Sequence, residues 1–170
     1  MTVQRAEATA SPDPLCSGLP ETARGGPVSY SLSVAARLHR IAAGRLLREL
    51  GVYPGQELLM MRLWGAGPVR QSELIKAMDL DPSTVTKMVQ RLEQAGHLRR
   101  TPDPADRRAV LVEATEDSCD LHRQVEAAWA ELEDRTLAGF TARERAEFGR
   151  LLDKAAGNLC REAAEDAGCR

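Results

Sequence analysis

The sequence predicts a mainly α-helical chain with one small β-hairpin set between its fourth and fifth helices. Aromatic residues are only 4% of the 170 positions, so a core must be built from Leu, Val, Ala and Met. That favours helix packing, because strands prefer aromatic and β-branched residues. Apolar residues recur at three- and four-residue spacing through most of the chain after Ser31. One stretch alone, from Leu98 to Glu113, reads as two short strands around a turn-rich middle. The length suits one domain, or one domain with an added dimerisation region, and the 43% hydrophobic and 28% charged content is an ordinary globular mix.

Residues 1–29 hold Pro12, Pro14, Pro20, Pro27, Gly18, Gly25 and Gly26 with few large apolar groups, and are expected to form a flexible tail. Val34, Leu38, Ile41 and Leu46 then mark a helix ending near Gly51. Pro54 opens a second helix, apolar nearly all round (Leu58, Leu59, Met60, Met61, Leu63, Trp64) and therefore a buried one. Gly65-Ala66-Gly67-Pro68 ends it. A short helix from Gln71 to Met78 turns Leu74, Ile75 and Met78 inward, and Asp79-Leu80-Asp81 makes a tight connection. The next helix has a clear start: Asp81 caps, Pro82 suits the first helical position, and Ser83 and Thr84 follow. Val85, Met88, Val89 and Leu92 form its apolar stripe, and Gly96 stops it. After the hairpin, Thr115 caps a long helix bearing Leu121, Val125, Trp129 and Leu132. Gly139 interrupts it, and Thr141 with Glu144 forms a capping box for a last helix carrying Phe148, Leu151, Leu152, Ala155 and Leu159.

Net charge is −2, which argues against a generic nucleic-acid binder. The charge is uneven, however. Ser83 to Arg108 holds six Lys/Arg against three acids, whereas Glu116 to Arg170 holds eight basic and thirteen acidic residues. No apolar run approaches a membrane span, and no apolar segment of a secretory signal follows the first charges. Cys16, Cys119, Cys160 and Cys169 are widely spaced, as expected of free thiols in a cytoplasmic protein.

On a helical wheel of ~100° per residue, Ser83, Lys87, Gln90 and Gln94 lie opposite Val85, with Thr84, Thr86 and Arg91 on the flanks. The one acid of this helix, Glu93, falls nearer the apolar side. Such a face suits anionic double-stranded DNA: Ser and Thr reach phosphate or base edges, Gln90 can read adenine, and Lys87 or Arg91 can reach guanine or phosphate. Any amphipathic helix has a solvated face, so the neighbours decide. A short helix and tight turn precede this one, as in a helix-turn-helix. An arginine-tipped hairpin follows, where Arg107 and Arg108 can enter a minor groove. Asp106 serves there by holding an arginine or the turn. The candidate DNA site is thus Arg70, Gln71 and Ser72 around the start of the short helix; Ser83, Thr84, Thr86, Lys87, Gln90 and Arg91 on the next; and Arg100, Asp106, Arg107 and Arg108 on the hairpin.

The stretches Pro54-Gly55-Gln56-Glu57-Leu58-Leu59, Gln71-Ser72-Glu73-Leu74, Asp81 to Gly96, Arg99-Arg100 and Pro102 to Arg108 together resemble the MarR family of winged helix-turn-helix transcription regulators. The likeness covers roughly Ser31 to Leu159. Asp106 and Arg108 fit the family's Asp-x-Arg at the wing, whereas Ala114-Thr115 stands where the family has Leu-Thr. The resemblance implies a homodimer with interleaved first and last two helices, its two reading helices roughly 34 Å apart on a pseudo-palindromic operator. It implies a division into a tail (1–29), a dimerisation helix (30–52), a winged DNA-binding domain (53–115), and dimerisation helices with a C-terminal tail (116–170). It also implies a repressor released by a small molecule in a cleft walled by the first, second and fifth helices. Arg37, His39, Tyr53, Met60, Trp64 and His122 are the candidate lining residues.

An alternative on the same scaffold is a cysteine-based redox sensor. Cys16 has no basic neighbour to activate it, and Cys119 lies near a helix start, which favours thiolate. His39, His97 and His122 show no metal-ligand spacing, no catalytic motif is present, and neither enzyme activity nor a cofactor is expected. The expected location is the cytoplasm, at the nucleoid when bound to DNA.

Overall fold

The computed structural model describes residues 18–168. Cys16 and Cys169 lie outside them, as does most of the expected tail. Its described part carries a 3-10 turn at Glu21–Ala23, and helix α1 (Pro27–Glu49) starts earlier than the periodicity predicts. Pro27 takes the first helical position, where its fixed φ and missing N–H cost nothing. Then come α2 (Gln56–Ala66), β1 (Val69–Arg70), α3 (Gln71–Met78), α4 (Pro82–Gln94), β2 (Leu98–Pro102), β3 (Val110–Ala114), α5 (Cys119–Thr136) and α6 (Ala142–Gly168).

The chain divides into two compact units, one running to Trp129 and the other from Ala130 onward. The first contains a three-stranded antiparallel sheet of order β1-β3-β2. Leu98 to Pro102 pair with Ala114 back to Val110, and Val69 and Arg70 pair with Val112 and Leu111. β1 is a finding beyond the predicted hairpin; two residues are too few to show a period of two. Leu59, Met60, Leu63, Leu74, Val85, Val89, Leu92, Leu98 and Val112 form the buried core joining α2, α3 and α4 to the sheet. A satellite cluster of Val52, Leu121 and Val125 is flanked by Met61, Trp64 and Trp129.

Local chemistry sets the helix ends. α2 starts two residues after Pro54, because Tyr53 N–H donates to Gln56 Oε1 (2.9 Å) and Gly55 N–H donates to Glu57 Oε2 (2.6 Å). Gly55 sits at φ +96°, which a side chain would resist. Burial pushes the Glu57 carboxyl above its ordinary pKa, against the pull of backbone N–H donors. The α3–α4 turn passes through Asp79 at φ +48°, a conformation that Asp tolerates. α4 closes with His97 N–H on Leu92 O and Gly96 N–H on Glu93 O, a Schellman motif around Gly96.

Thr115 does not cap α5. Its hydroxyl donates to Gly96 O (2.6 Å), and a 3-10 turn at Glu116–Ser118 intervenes before Cys119. In the second unit the capping box forms as expected: Thr141 N–H donates to Glu144 Oε2 (2.8 Å) and Glu144 N–H donates to Thr141 Oγ1 (3.3 Å). The Thr141 N–H, then the Thr141 hydroxyl, hold the Glu144 carboxyl below its usual range.

Candidate nucleic-acid interface

α3, the Asp79–Asp81 turn and α4 form a helix-turn-helix, and β2 with β3 forms a wing behind it. The α4 start is built by Asp81. Its carboxylate accepts Thr84 N–H (3.0 Å), Ser83 Oγ–H (2.6 Å) and the Thr84 hydroxyl. Three donors hold its pKa down to about 2, from an ordinary 3.8. The Ser83 and Thr84 protons are therefore committed to the cap, leaving lone pairs at the surface. Thr86 is similarly engaged, donating to Pro82 O (2.7 Å) and accepting from Gln71 Nε2 (3.4 Å). Lys87 and Gln90 are exposed, with no side-chain hydrogen bond or ion pair among the described residues. Arg91 lies over the Tyr53 ring, 5.6 Å from its centroid.

The basic residues of this region fall into two groups. Arg99 pairs with Glu113 (2.7 Å), Arg100 with Glu93 (2.5 Å) and Arg70 with Asp103 (2.7 Å). Arg107 and Arg108 at the wing tip are exposed, and their guanidinium groups carry no ion pair among the described residues. Asp106 holds the turn rather than an arginine side chain: Arg108 N–H donates to its Oδ1 (3.0 Å). Gln71 and Ser72 at the start of α3 share an open cleft of about 340 Å³ with Asp106 and Arg108.

The six residues expected around a ligand have different surroundings. Trp64 stacks on His122 (4.4 Å, 18° between planes) and donates through Nε1 to Ser118 Oγ (2.9 Å). His39 meets Trp129 edge-on at 6.2 Å. Tyr53 lies under Arg91, and Arg37 is exposed on α1. Met60 is corrected: it is fully enclosed in the winged core and offers a ligand no surface. The all-apolar run around it could not show which side faces inward. Sequence reasoning missed Ser118 and Trp129, whose partners lie 54 and 90 positions away. Cys119 is an exposed free thiol at the first position of α5, and Cys160 is exposed on α6. Among the described residues, no three His, Cys, Asp or Glu side chains gather as for a metal, and no helix is long and apolar enough to cross a membrane.

Fold and surface together define a winged helix-turn-helix DNA-binding transcription regulator. The MarR family profile matches residues 52–110. The regulator TtmR of Methylorubrum extorquens is 30% identical over 152 residues, covering 84% of this chain and 74% of TtmR. This chain belongs to the MarR family, one of transcription regulators rather than enzymes. Against two other curated relatives, one named a transcriptional repressor, the chain spans about half their length (56% and 52%). Among solved structures, a crystal structure of MarR superposes with TM-score 0.77 at 27% identity, covering 88% of this chain and 99% of that one. BpsR of Bordetella bronchiseptica, described for regulation of its DNA binding by 6-hydroxynicotinic acid, gives TM-score 0.70 at 25% identity, covering 82% and 98%.

Proposed function

We propose that this chain is a homodimeric repressor that lays α4 in the major groove of a pseudo-palindromic operator, sets its wing at the adjoining minor groove, and lets go when a small molecule binds. The observation that carries the docking is the placement of unpaired donors. Among the described residues, the side chains of Lys87 and Gln90 on α4, and of Arg107 and Arg108 on the wing, have no intramolecular hydrogen-bond or ion-pair partner. A free Lys or Arg gains a phosphate or base contact without first giving up an ion pair. Ser83, Thr84 and Thr86 offer hydroxyl oxygens nearby.

Dimerisation is supported by apolar side chains left in solvent. Val28, Leu32 and Ile41 on α1, and Phe148, Leu151, Leu152 and Leu159 on α6, are exposed in the single chain. A second copy burying them would set the half-site spacing. The effector reading rests on the Trp64–His122 stack, with Arg37 and His39 on α1, and on the regulation printed for BpsR. Release then requires that the effector bind the non-docking geometry more tightly. The proposed setting is the bacterial cytoplasm.

The test starts with a duplex selected by the full chain from a random pool. Lys87→Ala and Arg108→Ala should each weaken binding about tenfold and make the salt dependence shallower, by a slope of about 0.9 per lost phosphate contact. Binding unchanged in both variants refutes this docking. Small aromatic acids, 6-hydroxynicotinic acid first, should release the duplex, whereas diamide should not. Release by diamide that a Cys119→Ser variant resists would replace the ligand reading with a redox one.

A further inference from the structure

We propose that Arg70 is a positioning residue and not a phosphate ligand: its ion pair with Asp103 locks the wing turn to the start of α3 and so sets where Arg107 and Arg108 meet DNA. The proposal deepens the docking just described and rests on it. Arg70 stands where three elements meet. It ends β1, pairs with Leu111 of β3, and is the N-cap residue of α3, where its side chain makes no cap bond. The guanidinium turns instead to the wing, where Nε donates to Asp103 Oδ2 (2.8 Å) and Nη2 lies 2.7 Å from the same oxygen.

Asp103 is the knot of the wing turn. Its Oδ1 accepts Ala105 N–H (2.8 Å), its own N–H donates to Ala109 O (3.0 Å), and its carbonyl accepts Asp106 N–H (3.2 Å). One carboxylate oxygen thus closes the turn and the other ties it to β1 and α3. The Ala105 amide, then the Arg70 guanidinium, hold this carboxyl below its usual range. Strand pairing stops at Pro102 and Val110, so the turn beyond needs another anchor. Gln71, Ser72, Asp106 and Arg108 line one open cleft, and the clamp joins the two segments they belong to, the start of α3 and the wing turn.

Charge separates the two roles. The Asp103 side chain is 8% exposed and that of Arg70 42%. The carboxylate is turned away from solvent and neutralises the guanidinium that would otherwise seek a phosphate. Removing an acid beside a DNA surface ordinarily strengthens binding. Here Asp103→Asn should weaken it.

The experiment measures Asp103→Asn, Arg70→Ala, the double variant and Arg70→Lys on the selected duplex, with melting curves to establish folding. Each single variant should bind about three- to tenfold more weakly, as for a partly exposed charge-assisted pair. The double should be no worse than either single, and Lys should restore part of the loss. Equal or tighter binding by Asp103→Asn, with a loss confined to Arg70→Ala, would make Arg70 a phosphate ligand and overturn the proposal. Amide exchange of Ala105, Asp106 and Ala109 in the free protein gives a readout independent of DNA. It should quicken in both singles, and unchanged exchange also overturns the clamp. Should the wild type select no duplex, the docking reading fails while the exchange result still judges the clamp.

Discussion

In the winged core Leu59, Met60, Leu74, Val85, Val89 and Val112 are completely enclosed, whereas along α6 Phe148, Leu151, Leu152 and Leu159 stay 37–57% exposed. Both regions carry helical apolar stripes, and both are equally convincing as sequence. The winged core closes on itself because three helices and a sheet surround one volume. A single long helix cannot enclose its own stripe, so its leucines remain in water until something covers them. One region therefore holds its fold unaided, and the other marks where a second copy is proposed to act.

The comparison breaks most visibly on α6. Leu151→Glu with Leu152→Glu should convert a dimer to a monomer in sedimentation. Affinity for a two-half-site duplex should then fall about a hundredfold or more, since the second half-site contact becomes bimolecular. Melting of the winged core should barely move. A variant still dimeric would put the interface elsewhere.

The converse change is Leu74→Ala, in a side chain with no exposure. It should cost about 3 kcal/mol in urea unfolding, through lost transfer energy and a residual cavity. The oligomeric state of the folded fraction should not change.

A smaller effect sharpens the account of α4. Asp81→Ala should lower the melting temperature by a few degrees at neutral pH, through loss of the cap. The folded carboxyl sits at about 2 against an ordinary 3.8. Its contribution is therefore complete above pH 3.8 and disappears as pH falls through 2. The gap between wild type and Asp81→Ala should hold from pH 7 to about 4 and close below that. A gap widening in acid would contradict the cap.

The smallest effect belongs to the paired arginines. Arg99 lies on the open surface, held by Glu113. Arg99→Ala should leave melting and DNA affinity nearly unchanged, because exposed ion pairs contribute little and the charge is already engaged. A loss matching Arg108→Ala would erase the distinction between paired and unpaired arginines.

Short-range chemistry can be read directly along the chain. The start of α4 at Asp81-Pro82, its stop at Gly96, α3 from Gln71 to Met78 and the Thr141–Glu144 box were all legible, because each rests on residues within one or two helical turns, and the family was legible from several such stretches taken together. Pro54 misled by two residues, since Gln56 and Glu57 bond backward across the turn. Which of several identical-looking side chains stay unpaired depends instead on long-range packing. Arg70, Arg99, Arg100, Arg107 and Arg108 read alike along the chain, yet three find carboxylates 7 to 33 positions away and two do not. Likewise Met60 and Trp64 lie one helical turn apart, and only packing encloses the first and stacks the second on His122. A guanidinium's partner and a side chain's exposure are set by what folds against it, and no local pattern carries that information.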